Sequence, residues 1–502
     1  MDERSEHVLS DTQPEPITLP SGIEGLDDVL GGGFPSQRIH LVEGRPGSGK
    51  TTLGLQFLLE GQRRGEICLY VTLAESADEL RQVARSHGWS LEGIAIHELS
   101  PHFGESEVEG DEPYTVFHPA EVELGRTVST LFEHIERVDP ARVVIDSLTE
   151  IRLLAQHPLR YRRQILAMKQ RFAGTARTVM MLDDRAGPDP DAQLRSVAHG
   201  VILLDQDVPR YGVARRRLTV AKLRGVGYRT GLHDFVIARG GLQVFPRLVA
   251  AEHRANLKKT SVASGVTALD ALLGGGIDYG TTTLVIGPPG SGKSSVAAQY
   301  VCAAAARDET VAVFTFDETV ASLRARGDAF GLDLGAHIDE GRVRVQQVDP
   351  AELSPGEFVH RVRGAVERDR ARLVVIDSLN GYLQAMPDEP FLEAQLHVLA
   401  TYLGQRGVAT LLVAAQRGFA NPSVDGPIDV SYLADALVQL RLFESEGRMR
   451  RAISVVKKRS GPHEDTIREL SFGPGGIRIG EPIKAASNNV IVDDGSDRGS
   501  RR

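Results

Sequence analysis

A phosphate-binding signature occurs twice in this chain, and the duplication constrains its fold more than any other feature. GRPGSGKT at 44–51 and GPPGSGKS at 287–294 both fit G-x-x-x-x-G-K-[ST]. A second pair, SGIEGLDDVLGGG and SGVTALDALLGGG, keeps the same spacing of 243 residues (21 to 264, 44 to 287). Self-similarity over so long a period makes the half-chain the folding unit. At 502 residues the chain also exceeds what one hydrophobic core holds. The pattern predicts a disordered N-terminal segment at 1–16, domains over 17–249 and 261–482, a linker at 250–260 and a flexible tail at 483–502.

Within each half, short apolar runs such as RIHLVEG, ICLYVTL, ARVVIDS and RTVMMLDD alternate with helical patterns such as TTLGLQFLLEGQRRG. This alternation predicts an α/β fold in each half, a mostly parallel central sheet with helices on both faces. RVVIDSL at 142–148 matches RLVVIDSL at 372–379, laying Asp146 on Asp377 at the shorter spacing of 231. The first half therefore carries extra residues between its motifs, placed in the polar, Gly- and Pro-containing stretch SPHFGESEVEGDEPYTVFHPAEVE.

Each signature follows an apolar strand and opens a helical run, the context that phosphate binding requires. Gly44, Gly47 and Gly49, with Gly287, Gly290 and Gly292, let the backbone bend so that the N–H groups around Ser48 and Ser291 face phosphate oxygens at a helix N-terminus. Lys50 and Lys293 then meet the outer phosphates of ATP, Thr51 and Ser294 offer a hydroxyl to Mg2+, and Thr52 and Ser295 complete the first helical turn. Asp146 and Asp377, each ending a buried strand, complete the magnesium set. The structural alternatives are a chance Gly-rich turn and a strand-end helix cap.

VTLAES at 71–76 aligns with FTFDET at 314–319, pairing Glu75 with Glu318 and Ala74 with Asp317. A carboxylate at such a strand tip can position or deprotonate the attacking hydroxyl or water, but Glu75 and Ser76 also suit a helix cap. One strand later Gln416, a candidate phosphate sensor, corresponds to Asp184, whose charge would repel a terminal phosphate unless a metal or arginine intervened. Both differences mark the first half as the altered one. RRRLTVAKLRG at 215–225 matches RRAISVVKKRSG at 450–461, aligning Lys222 with Lys457 and Arg224 with Arg459. These cations suit either a solvated strand face or contact with a neighbouring subunit's ATP. The basic helix RYRRQILAMKQRF at 160–172 reads as a solvated or interface face, with nucleic-acid contact as the alternative.

A net charge of −9 and 5% aromatic residues argue against a nucleic-acid motor, the competing use of such a fold. The acidic, polar N-terminus and the lack of a long apolar run predict a cytoplasmic protein without membrane contact. Cys68 and Cys302 sit in apolar surroundings and read as core thiols.

The tandem signatures, the strand-end aspartates and the late basic strands resemble the KaiC family of RecA-like ATPases in its two-domain form, over nearly the whole chain from TLPSGIEGLDDVLGGGF to RELSFGPGGIRIG. The resemblance implies tandem RecA-like P-loop NTPase domains in a self-associated ring, expected to be a hexamer. ATP would lie between subunits, Lys222, Arg224, Lys457 and Arg459 would act in trans, and signalling proteins would be partners. It implies Asp317 and Glu318 as kinase bases and Glu75 as the remaining hydrolytic carboxylate of the first domain. In DVSYLADALVQL at 429–440 it makes Ser431 a phosphorylation site, while Tyr432 stands where the family's clock members have threonine. At most one-site serine autophosphorylation follows. The short C-terminal tail lacks the segment that clock members offer to an activating partner, so signalling or stress adaptation outside a full clock is the expectation. A nucleotide-gated scaffold with a weakly active first domain is the further alternative.

Overall fold

The computed structural model describes residues 17–99, 119–185, 192–210, 212–253, 260–349, 351–384, 391–415 and 431–483. The chain divides into two compact units, with the main break between Arg247 and Leu248. Gln416, most of the stretch at 100–123 and the final tail lie outside the described residues. Ala250–His253, within the expected linker, form a 3-10 helix.

In the first unit the strands of the main sheet are β1 (Ile39–Gly44), β2 (Cys68–Thr72), β3 (Ala95–Glu98), β4 (Arg142–Asp146), β5 (Thr178–Asp184), β6 (Gly200–Asp207), β7 (Arg215–Leu223), β8 (His233–Ala238) and β9 (Gly241–Phe245). Among the described residues they form one nine-stranded sheet, ordered β9-β8-β7-β6-β1-β5-β4-β2-β3. From β3 across to β6 every pairing is parallel, and β7, β8 and β9 add an antiparallel edge. The second unit repeats this with β10 (Thr282–Gly287), β11 (Val311–Thr315), β12 (Val343–Gln347), β13 (Leu373–Asp377), β14 (Ala409–Ala415), β15 (Ala436–Ser445), β16 (Arg448–Lys458), β17 (Arg468–Gly473) and β18 (Gly476–Pro482). Its order, β18-β17-β16-β15-β10-β14-β13-β11-β12, is the first unit's order strand for strand.

The apolar runs are continuous because both faces of each sheet are covered. Along β4 and β5, Val144, Met180 and Leu182 join one core, while Val143, Ile145, Val179 and Met181 join another on the opposite face. In the second unit Val375, Leu411 and Val413 face one core, and Val374, Ile376, Leu412 and Ala414 the other. This is the period-two alternation of a strand. Parallel order also brings the C-terminal ends of the central strands to one edge, where ligands of open α/β sheets bind. Cys68 and Cys302 are both buried and unpaired, and burial pushes their thiols up to about 11 and about 12. Among the described residues no helix is long and apolar enough to cross a membrane.

Candidate nucleotide-binding sites

The P-loops connect β1 to α1 (Lys50–Arg63) and β10 to the matching helix Lys293–Ala305. Gly49 and Gly292, which precede these helices, have φ of 100° and 99°, in the left-handed region that favours glycine. A Cβ on Gly44 would lie 2.8 Å from the Leu204 carbonyl oxygen and one on Gly287 2.7 Å from that of Leu440, so these strand ends admit only glycine without backbone movement. The Ser48 and Ser291 hydroxyls are buried within the loops and have no hydrogen-bond partner among the described residues. An acceptor brought by a phosphate would satisfy them. Thr52 and Ser295 are buried in the first turn of each helix.

The strand-end aspartates face the P-loops. Thr51 Oγ1 donates to Asp146 Oδ2 at 3.0 Å, and Tyr70 Oη donates to the same oxygen at 2.6 Å. Burial raises the Asp146 carboxyl above the usual range, and the two hydroxyl donors oppose the rise. Asp377 is raised by burial in the same way, opposed by a hydrogen bond from Ser294 and by the Arg326 charge. Hydroxyl and carboxylate oxygens are the hard donors that Mg2+ takes alongside phosphate, so both pairs fit that ion. In both units the peptide bond after this aspartate is cis.

The two P-loop lysines stand in different surroundings. Lys50 forms an ion pair with Asp184 Oδ1 at 2.6 Å and donates to the Gly44 and Arg45 carbonyls, each at 3.1 Å. The group that intervenes at Asp184 is thus the P-loop lysine itself. Alternation along β5 sends the preceding Asp183 the other way, to Thr149 and Arg152. Lys293 donates to the Pro288 carbonyl at 3.0 Å and forms no ion pair among the described residues. Burial pulls its ammonium below the usual lysine range, with Asp377 opposing.

The question posed by VTLAES is answered by its neighbours. The helix α2 (Ala77–Ser86) is capped by Ser76, whose hydroxyl accepts from Glu79 N at 3.3 Å while Glu79 Oε2 accepts from Ser76 N at 2.7 Å. Glu75 does not cap it. Instead Thr72 Oγ1, at the end of β2, donates to the Glu75 carbonyl at 2.7 Å and accepts from its N–H at 3.0 Å, fixing the backbone at the strand tip. Thr315 holds Glu318 in the same way, at 2.9 and 3.2 Å, and Thr319 caps the helix that follows. Partial desolvation, then the carboxylates of Asp146, Glu79 and Asp184, raise the Glu75 carboxyl above its ordinary value. In the second unit Asp317 accepts a hydrogen bond from Ser378 Oγ, and Glu318 Oε2 pairs with Arg326 Nη1 at 2.7 Å.

The late basic residues divide by type. Lys222 Nζ donates to the carbonyls of Arg195 at 2.8 Å and Ala198 at 2.6 Å, and Lys457 Nζ to that of Ala434 at 2.9 Å. Arg224 and Arg459 lie just past the ends of β7 and β16 and are exposed, Arg459 with Asp435 at 3.9 Å. Ser431 begins the 3-10 helix Ser431–Leu433, shortly before β15, the strand that runs parallel to P-loop strand β10. In the helix Pro158–Phe172, Tyr161, Ile165, Met168 and Phe172 are buried, and Arg171 lies over the Phe132 ring at 4.4 Å. Sequence reasoning passed over Tyr70, Thr72, Thr315, Ser378 and Arg326. The aligned halves carried a signal for two of them, because Tyr70 and Val83 exchange large and small with Val313 and Arg326.

A family model described as a KaiC ATPase matches residues 19–249 and 262–484. The chain is 26% identical over 492 residues to the circadian clock oscillator protein KaiC of Picosynechococcus sp., covering 95% of this chain and 93% of that protein. It is 25% identical over 470 residues to the circadian clock protein KaiC3 of Synechocystis sp., covering 93% of this chain and 92% of that one. The circadian clock oscillator protein KaiC of Synechococcus elongatus is 26% identical over 492 residues, covering 95% of this chain and 92% of that protein.

Proposed function

Because the chain belongs to the KaiC family of ATPases, we propose that each half binds Mg-ATP, that the chain self-associates into a ring of six, and that the second half transfers a phosphate to Ser431. The product is a phosphorylated cytoplasmic regulator read by signalling partners. The observation that carries this reading is the pairing of a P-loop hydroxyl with a strand-end aspartate, seen as Thr51 Oγ1 to Asp146 Oδ2 at 3.0 Å and repeated at Ser294 and Asp377. Thr51 with Asp146, and Ser294 with Asp377, would hold the magnesium ion, whose charge would offset that of the phosphate groups.

The chain's own groups supply the rest. Lys293 neutralises the outer phosphate, and Ser291 donates its unpartnered hydroxyl to a phosphate oxygen. Glu318, beside Asp317, accepts the proton of the Ser431 hydroxyl as its oxygen bonds to phosphorus and ADP departs. In the first half Glu75 takes the proton from water in the same geometry, without a neighbouring carboxylate because Ala74 stands in that place. Arg224 and Arg459, exposed past their strand ends, reach the phosphates of the adjoining subunit with Lys222 and Lys457 beside them. Gln416 senses the terminal phosphate of the second site. The Lys50–Asp184 ion pair also favours reading the first half as the slower, mainly nucleotide-gated one.

Intact-mass measurement with phosphosite mapping after incubation with Mg-ATP tests this. One added phosphate on Ser431, retained in Lys50→Ala and lost in Lys293→Ala, is the expected result. No phosphate, or phosphate at another residue, overturns the autokinase reading.

A further inference from the structure

The layer beneath each strand-end aspartate is filled differently in the two halves. In the first, Tyr70 is fully buried and its hydroxyl donates to Asp146 at 2.6 Å, while Val83 on α2 packs against the same core. In the second, Val313 takes the place of Tyr70, and the large side chain comes from α3 (Val320–Ala329) as Arg326, the counterpart of Val83. The volumes are exchanged between strand and helix, but a neutral donor has become a cation.

Arg326 is only partly used by its visible contacts. Nη1 pairs with Glu318 Oε2 at 2.7 Å, whereas Nε and Nη2 are buried with no hydrogen-bond partner among the described residues. Arg326 lines a small cavity together with Ser294 and Asp377, the magnesium-type oxygen pair, and with Val313 and Leu323. A buried guanidinium donor without an acceptor is costly, so its placement there calls for a partner. The nearby carboxylate is Asp377, and the Arg326 charge already opposes the rise that burial imposes on it.

We propose that Arg326 is the built-in countercharge of the second nucleotide site, a positioning residue that pairs with Glu318, sets its charge beside the cavity it shares with Asp377, and keeps that site able to bind nucleotide when divalent metal is scarce. Among the described residues the first site has no such cation, Val83 standing where Arg326 does. Its aspartate is oriented by a phenol that adds no charge, and its P-loop lysine is already paired with Asp184, so it needs magnesium to offset its carboxylates against incoming phosphates. This inference rests on the reading that both P-loops bind ATP.

The test uses the full chain with one site silenced, by Lys50→Ala to read the second site and by Lys293→Ala to read the first. Affinity for a fluorescent ATP analogue is measured in excess Mg2+ and in EDTA. On metal removal the first site is expected to lose affinity about tenfold more than the second. Exchanging the layer, with Val313→Tyr and Arg326→Val together, should make the second site as metal-dependent as the first. Arg326→Gln should do the same in a side chain of similar reach, and Arg326→Lys should restore much of the metal tolerance, which a purely space-filling role would not. Equal metal dependence of the two unaltered sites overturns the proposal even if every variant fails to fold. So does a folded Arg326→Gln chain whose EDTA affinity is unchanged. Absence of ATP binding in excess Mg2+ is a different outcome, which defeats the underlying nucleotide-site reading and the inference with it.

Discussion

Lys50 and Lys293 occupy the same position of the same motif on superimposable strand orders, yet one is held and the other is free of ion pairs among the described residues. Lys50 is engaged by a carboxylate and two carbonyls before any phosphate arrives. Lys293 has one carbonyl at 3.0 Å and a carboxylate acting on it across the site. The motif dictates a backbone path and places the amine; residues on neighbouring strands decide what a ligand must displace to reach it. Two copies of one signature therefore hold their lysines in two different environments.

The largest effect that could break the comparison comes from removing the lysines themselves. Lys50→Ala and Lys293→Ala should each abolish ATP binding at one site and leave the other intact, because a charge contact to phosphate is lost locally. Equilibrium binding stoichiometry reads this directly, falling from two ATP per chain to one in either variant. A single substitution that emptied both sites would mean the halves are not independent.

Next come the strand-tip carboxylates. Glu318→Gln should reduce phosphate transfer by about 10² to 10⁴, the range for loss of a positioned base, and Glu75→Gln should lower ATP hydrolysis by the first site less steeply. The asymmetry can be reversed. Asp317 accepts from Ser378 Oγ, and the first half has Ser147 at the corresponding place but Ala74 where the carboxylate belongs. Ala74→Asp should raise turnover in a Lys293→Ala chain, measured by phosphate release. If neither Ala74→Asp nor Glu75→Gln alters turnover, Glu75 has no part in hydrolysis.

A smaller effect sharpens the lysine contrast. Asp184→Asn removes the charge but keeps the shape, and should tighten ATP binding at the first site by about three- to tenfold. The gain is limited because Asp184 is one-third exposed and its pairing is screened by water and salt. Raising the ionic strength should therefore narrow the gap between Asp184→Asn and the unaltered chain.

What the sequence made legible was whatever depends on local spacing. Glycines at fixed intervals, an aspartate closing an apolar run and the alternation of strand and helix led to the P-loops, to Asp146 and Asp377, and to two sheets of one order. The pairing of Lys50 with Asp184 was not legible, because it joins the start of α1, just after β1, to the end of β5 through a strand adjacency that only the assembled sheet reveals. Nor could spacing show that Lys222 and Lys457 turn their amines onto nearby carbonyls, since a long flexible side chain carries no directional signal. Tyr70 and Arg326 were hidden for a third reason. Each looks like an ordinary core or surface residue until its counterpart in the other half is set beside it.

The smallest expected effect separates capping from catalysis in VTLAES. Ser76 and Glu79 close the reciprocal cap of α2, so Ser76→Ala should cost about 1 kcal/mol of stability in chemical denaturation while leaving turnover at the first site unchanged. The second half has Ser322 where Glu79 stands, and its Thr319 cap lacks the returning carboxylate. This difference has a pH signature of known sign. Backbone and hydroxyl donors of Ser76 hold the Glu79 carboxyl below the ordinary glutamate value of 4.5, so its stabilising share is full above that value and is lost as pH falls through the lowered one. Glu75 is shifted the opposite way. A base must be ionised to accept a proton, so turnover at the first site should begin to fall, on acidification, at a pH above 4.5, before the cap weakens. Cap loss and activity loss that coincide in Ser76→Ala, or an acid limb below 4.5, would return Glu75 to a structural role.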